Sequence, residues 1–283
     1  MENKHFDRLV GLPTEYKDKQ DSWESYAEEI IEKRGGRKIE EFEIEKSPRD
    51  MEIISIAEEC VRNFLKEYGR DKELPVSPAN IHYLRPNGTK EFTEGRLFDG
   101  GHASTRASIL IDRIASDAEV AVITFHELFH LLSYKAFQVT KKEKPDVEDY
   151  RSGFAVTSRD GEETYFQDFE EAIIGLATSQ FFEKVIKTHP LFQEEMLKRE
   201  QEGNAITTSR QEELNQLNAL IDDLYKKNSD RFSSRDEITR LFIDAQVNGH
   251  LLQVGRLIEN TYGKGSFREI GKGDYQKIET KST

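Results

Sequence analysis

The segment His126-Glu127-Leu128-Phe129-His130 places three polar side chains inside an almost wholly apolar run, and this constrains the fold more than any other feature of the chain. Val120-Ala121-Val122-Ile123-Thr124-Phe125 precedes it and Leu131-Leu132-Ser133-Tyr134 follows. The pattern predicts a helix from near Asp117 to about Phe137, buried on most sides. Ser116-Asp117-Ala118-Glu119 fits the S-x-x-E capping box at its start. A helix this apolar must be the centre of a core, with other elements packed around it. Its two histidines and its glutamate then need partners, because an unpaired buried polar group costs about 1–3 kcal/mol.

The spacing suggests what those partners are. Residues four apart on a helix share a face, so His126 and His130 can aim two imidazoles at one point. That is the arrangement a tetrahedral Zn²⁺ takes, and Glu127 beside the first histidine can hold a water without itself being a ligand. The expected chemistry is metal-assisted hydrolysis. Upstream, Ala107-Ser108-Ile109-Leu110-Ile111-Asp112 reads as a strand after Gly100-Gly101. A strand edge leading into the motif helix would let an extended peptide pair along it.

The rest of the chain reads as mixed α and β. Trp23 to Arg34, Asp50 to Tyr68 (Gly69 as its C-cap), Asp168 to about Lys187, Gln211 to Lys227 and Ser234 to about Asn260 are expected helices, and His189-Pro190 is expected to stop the third of them. Ile39 to Ile44 reads as an edge strand or an acidic linker, Leu74 to Pro78 as a turn, and Asn80 to Leu84 as a strand. After the motif helix, Lys141 to Asp149 reads as a charged loop. Gly153 to Ser158 and Glu163 to Phe166 flank Asp160-Gly161, a β-hairpin signature. The expected organisation is a peripheral segment, 1–46, then one domain over 47–270. Its first part, 47–150, carries the sheet and the motif helix, and its second part, 151–270, the hairpin and later helices. Residues 271–283 are expected to be a frayed tail.

Composition narrows the partners. The net charge of −13, spread along the chain, disfavours nucleic acid and mildly favours cationic or neutral substrates. No apolar run reaches the length of a transmembrane helix, and the start of the chain has no secretory-signal pattern. With Cys60 as the single cysteine, no internal disulfide is possible, and the expected location is cytoplasmic. The oligomeric state is left open by the sequence.

A zinc site on two histidines needs a third protein ligand and an open position. The residues after His130 do not continue as H-x-x-G-x-x-H, which excludes the metzincin arrangement. A carboxylate from a later helix is then required, and Glu170 and Glu171 are the candidates, both near the start of the helix expected from Asp168. Glu171 has a competing structural role: with Asp168 as N-cap it falls at the capping-box position.

His-Glu-Leu-Phe-His after a strand, a hairpin, and then Phe166-x-x-Phe169-Glu170-Glu171-Ala172-Ile173-Ile174-Gly175 together resemble the gluzincin zinc metallopeptidases. The resemblance covers residues 75–185 well and 235–270 loosely, where Gly249, Arg256-Leu257-Ile258, Tyr262-Gly263 and Phe267 are similar to a closing helix of that family. It implies an α+β, zincin-like fold, a small sheet against the motif helix followed by a mainly helical C-terminal half. It also implies Zn²⁺ on His126, His130 and Glu171, with Glu170 as the alternative, Glu127 as general base, and a peptide or protein substrate. Candidate stabilisers of the developing oxyanion are His250 and Tyr165, while His82, His102 and His189 are expected to be structural or exposed. The sequence departs from the thermolysin-type pattern at Gly175, where an Asp would orient a histidine. Two other classes stay open: a zinc amide hydrolase acting on a non-peptide substrate, and a non-catalytic binding module on the same fold. A deformylase-type site is disfavoured because its third ligand is a cysteine and Cys60 lies far upstream.

Overall fold

In a computed structural model the chain is a mixed α/β protein. The structure describes residues 6–12, 20–33, 39–71, 77–95, 97, 100–103, 108–114, 116–140, 146–204, 206 and 210–273. In chain order the elements are β1 (Arg8–Val10), α1 (Gln20–Lys33), α2 (Pro48–Glu67), β2 (Ile81–Leu84), α3 (Gly88–Phe92), β3 (Gly100–Ala103), β4 (Ser108–Asp112) and α4 (Asp117–Leu132). There follow β5 (Lys135–Val139), β6 (Val147–Ser152), β7 (Ala155–Thr157), β8 (Thr164–Tyr165), α5 (Gln167–Phe181), α6 (Pro190–Glu202), α7 (Gln211–Lys227), α8 (Arg235–Asn248), α9 (Leu251–Tyr262) and α10 (Ser266–Gly271). Among the described residues no helix is long and apolar enough to cross a membrane.

The chain divides into two compact units. The first draws on Asp21–Leu132 and Ala177–Thr208 and holds the motif helix. Its three-stranded sheet has the order β2-β4-β3, with β2 parallel and β3 antiparallel to β4. Every residue of β4 is buried, which is why its sequence is a continuous apolar run rather than an alternating one. α4 packs against β3 and β4, and also against α2 and α6. Phe129 meets Phe64 of α2 edge-on at 5.2 Å, and Phe125 stacks on Phe181 at 4.4 Å. Each such ring contributes about 1.5–3 kcal/mol by burial, and neighbours on several sides account for a helix with almost no polar face.

The start of α4 is capped as expected in one half only. The amide of Glu119 donates to Ser116 Oγ at 3.0 Å. The Glu119 carboxylate does not return to close the box; it pairs with Arg199 of α6 at 2.8 Å, and Glu195 of α6 accepts the Ala118 amide instead. α2 begins with a complete box, Ser47 and Asp50 each bonding the other's backbone. Gly69, at φ +75°, follows its C-cap Tyr68.

The second unit draws on Phe6–Gln20, Ser133–Leu176 and Ser209–Thr283. Its sheet has the order β1-β5-β6-β7-β8, with β1, from the segment read as peripheral, lying parallel to β5. The hairpin is present, Val156 opposite Tyr165 and Thr157 opposite Thr164. Phe154, Phe166, Phe169 and Phe242 form its aromatic centre. α5 is shared: Gln167–Leu176 falls in the second unit and Ala177–Phe181 in the first.

Several boundaries differ from the sequence reading. The motif helix ends at Leu132 rather than Phe137, and Lys135–Val139 is a strand with all five residues buried. Val147–Asp149, read as loop, opens β6. Ile39–Glu41 is a 3-10 turn, and only Glu43 bridges to Leu84. α5 starts at Gln167 after Phe166 at φ +64°, so Asp168 lies inside the helix and is not its N-cap. Glu171 is therefore past the capping-box position. α5 gives way to a π-helical turn at Phe182–Ile186. His189-Pro190 starts α6 rather than only ending the helix before it: His189 is the N-cap and Pro190 the first residue. The single helix expected over 234–260 is two, broken at Gly249. The readings placed on Arg34, Leu74–Val76, Lys141–Pro145 and the tail beyond Gly273 lie outside the described residues.

Candidate metal centre

One turn of α4 delivers His126, Glu127 and His130. The Nε2 atoms of the two histidines lie 3.3 Å apart, with ring centroids at 4.9 Å and planes inclined by 67°. Two nitrogens each about 2.0–2.1 Å from a tetrahedral Zn²⁺ stand about 3.3–3.4 Å apart. The donors are therefore spaced as ligands of one such cation.

The remaining ring nitrogen of His126 has its own partner. Thr178, buried near the end of α5, places Oγ1 3.4 Å from Nδ1. A proton on Nδ1 donated to that hydroxyl leaves Nε2 as the lone-pair nitrogen, the tautomer a metal ligand requires.

His102 completes the cluster. β3 is antiparallel to β4 with His102 opposite Ile109, and it can approach α4 closely because Gly100 carries no side chain. A Cβ at Gly100 would stand 2.8 Å from Ile123 Cγ2. The His102 ring stacks on His130 at 4.5 Å with planes 17° apart, and its Nδ1 lies 3.3 Å from Glu127 Oε2. His102, Glu127 and His130 together are a group able to hold a metal ion. The Glu127 side chain is only 12% exposed. Burial pushes its carboxyl up, but the His102 hydrogen bond and the fields of His126, His130 and His102 outweigh this and hold it below the ordinary carboxylate value.

The two carboxylates proposed as third ligand lie in the second unit and have different surroundings. Glu170 is buried, and Ser152 Oγ donates to its Oε1 at 3.1 Å. Lys135 Nζ in turn donates to Ser152 Oγ at 3.2 Å. Glu171 faces Arg210, with Oε2 3.3 Å from Nε. It stands two turns before Thr178 on α5, hence on the same face of that helix.

The two candidate oxyanion stabilisers also have local partners in the second unit. His250 is half-exposed at the start of α9, its Nδ1 2.6 Å from Asp244 Oδ2. Tyr165 donates its hydroxyl to Glu163 and lies under Lys272. His82 bonds Glu43 at 3.1 Å and His189 caps α6. The reading of His102 as structural or exposed missed its position. Only the pairing of β3 with β4 brings it to the motif, although a histidine directly after Gly100-Gly101 in a strand before the helix was the available signal. Comparison with known proteins found no matching family model, no matching curated protein and no matching solved structure.

Proposed function

We propose that this protein is a zinc-dependent peptidase with a zincin-like fold. The observation that carries the reading is the pair of Nε2 atoms 3.3 Å apart on the turn of helix that also carries the largely covered Glu127 carboxylate. His126 and His130 would supply two ligands of such a site, and Glu171, the carboxylate expected from the sequence, is assigned as the third. Glu170 is assigned to packing because its carboxylate is held by Ser152. Zn²⁺ bound there would supply a Lewis acid that acidifies water and polarises a carbonyl.

The chain's own groups would do the rest. Glu127 accepts a proton from water at its carboxylate and passes it to the leaving amine. Thr178 holds His126 in the ligating tautomer. Among the described residues β3 is an edge of its sheet, so an extended peptide can add to it as a further strand beside His102 and Glu127. That edge favours a peptide over a compact non-peptide amide. The retained Glu127 favours an enzyme over a binding module.

The test is incubation of the zinc-replete protein with a peptide library, with and without a chelator. Chelator-sensitive cleavage is the expected result. Zinc binding without cleavage of any peptide would move the assignment to the other two classes.

A further inference from the structure

We infer that His102 is a positioning residue for the hydrolytic centre, with one ring performing two separable tasks. Its Nδ1 edge holds the Glu127 carboxylate, and its face fixes the plane of His130. This rests on the peptidase reading above and extends it to a residue outside the motif.

The geometry separates the two tasks. The 3.3 Å contact runs from the Nδ1 edge of the imidazole to Glu127 Oε2. The contact with His130 is face to face, at 4.5 Å and 17°. A hydrogen bond in the ring plane and a stack across it do not compete, so both can persist together. Glu127 leaves the helix beside a ligand and has rotatable bonds of its own, while a general base must sit within about 0.5 Å of its productive place. A donor fixed on a strand supplies that constraint. His102 qualifies because β3 is tied to β4 by its register and lies against α4 through Gly100. His130 is buried, and the parallel ring above it limits how far its plane can turn.

Two substitutions divide the roles. His102→Phe keeps a flat ring on His130 and removes the donor. His102→Asn keeps a donor where Nδ1 stood and removes most of the stack. Zinc affinity is read by chelator competition, and turnover with the fluorogenic peptide that wild-type protein cleaves fastest. Expected for His102→Phe is zinc affinity within about threefold of wild type and kcat lower by about 10²-fold, with KM little changed, a loss of the size expected for a misplaced catalytic group. His102→Asn should recover kcat to within about tenfold of wild type, with weakened zinc affinity. A His102→Phe variant that loses zinc would make His102 a ligand, and one that keeps full kcat would remove the first task; either result overturns the inference.

A second readout needs no substrate. Histidine ¹⁵N NMR of the zinc-loaded protein should show His102 protonated on Nδ1, and Glu127→Ala should change that signal. A ring carrying its proton on Nε2 alone would overturn the inference even where cleavage is seen. If no peptide is cleaved while the Nδ1 proton is present, the peptidase reading fails and the His102–Glu127 pairing stands.

Discussion

Thr178 Oγ1 lies 3.4 Å from His126 Nδ1, the ring nitrogen other than the one beside His130 Nε2. Partners of metal-binding histidines typically influence affinity by 10–100-fold. Thr178→Val, which keeps the shape and removes the hydroxyl, is expected to weaken zinc binding by that factor in chelator competition. Thermal unfolding of the metal-free protein should shift much less than the zinc-loaded form. Unchanged zinc affinity would mean the contact does not orient His126.

Glu170 and Glu171 are adjacent but should respond differently to removal. Glu171→Ala is expected to lower zinc affinity by at least 10²-fold, with a modest change in metal-free stability. Glu170→Ala should leave zinc binding nearly intact and destabilise the fold by about 1–3 kcal/mol, because Ser152 and Lys135 lose a buried acceptor. Denaturant titration alongside zinc titration distinguishes them, and the reverse pattern would assign the ligand to Glu170.

How much of this was legible in the sequence depended on the range of the interactions involved. α2 and α7 could be read because apolar spacing along a helix is local. The motif's two-histidine face was legible for the same reason. β5 was not: Lys135-Ala136-Phe137-Gln138-Val139 continues an apolar run, and a fully buried strand has no period that separates it from a helix. α6 was hidden because Pro190 ends one helix and fits the first position of the next equally well. His102 reaches Glu127 only through the register of two strands, which nothing within a short window specifies.

Gly249 breaks what the sequence presents as one helix. Its φ is +82°, and a Cβ there would stand 2.6 Å from the Tyr134 ring. Gly249→Ala is expected to destabilise the protein by about 1–3 kcal/mol through strain and overlap. Denaturant unfolding checks this, and a neutral effect would show that the break is not enforced there.

Asp50 gives a pH signature that is independent of the metal. Burial pushes its carboxyl up, but hydrogen bonds from Ser47 and from Arg113, with the Arg113 charge, hold it below the ordinary value. A carboxyl depressed in the folded state contributes stability above its unfolded pKa, about 3.9, and loses it as pH falls through the lower folded pKa. Wild-type stability should therefore fall with acid below about pH 4. Asp50→Asn should be less stable at neutral pH and show a shallower acid slope. Equal slopes would assign the acid sensitivity to other carboxyls.

The most direct test of the central claim is a paired measurement of metal content and cleavage in wild-type protein and Glu127→Gln. The account predicts about one Zn²⁺ per chain in both, chelator-sensitive peptide cleavage by wild type, and a loss of about 10²–10⁴-fold or more in the variant. A wild-type protein that binds no zinc, or a Glu127→Gln variant that cleaves as fast as wild type, would contradict it.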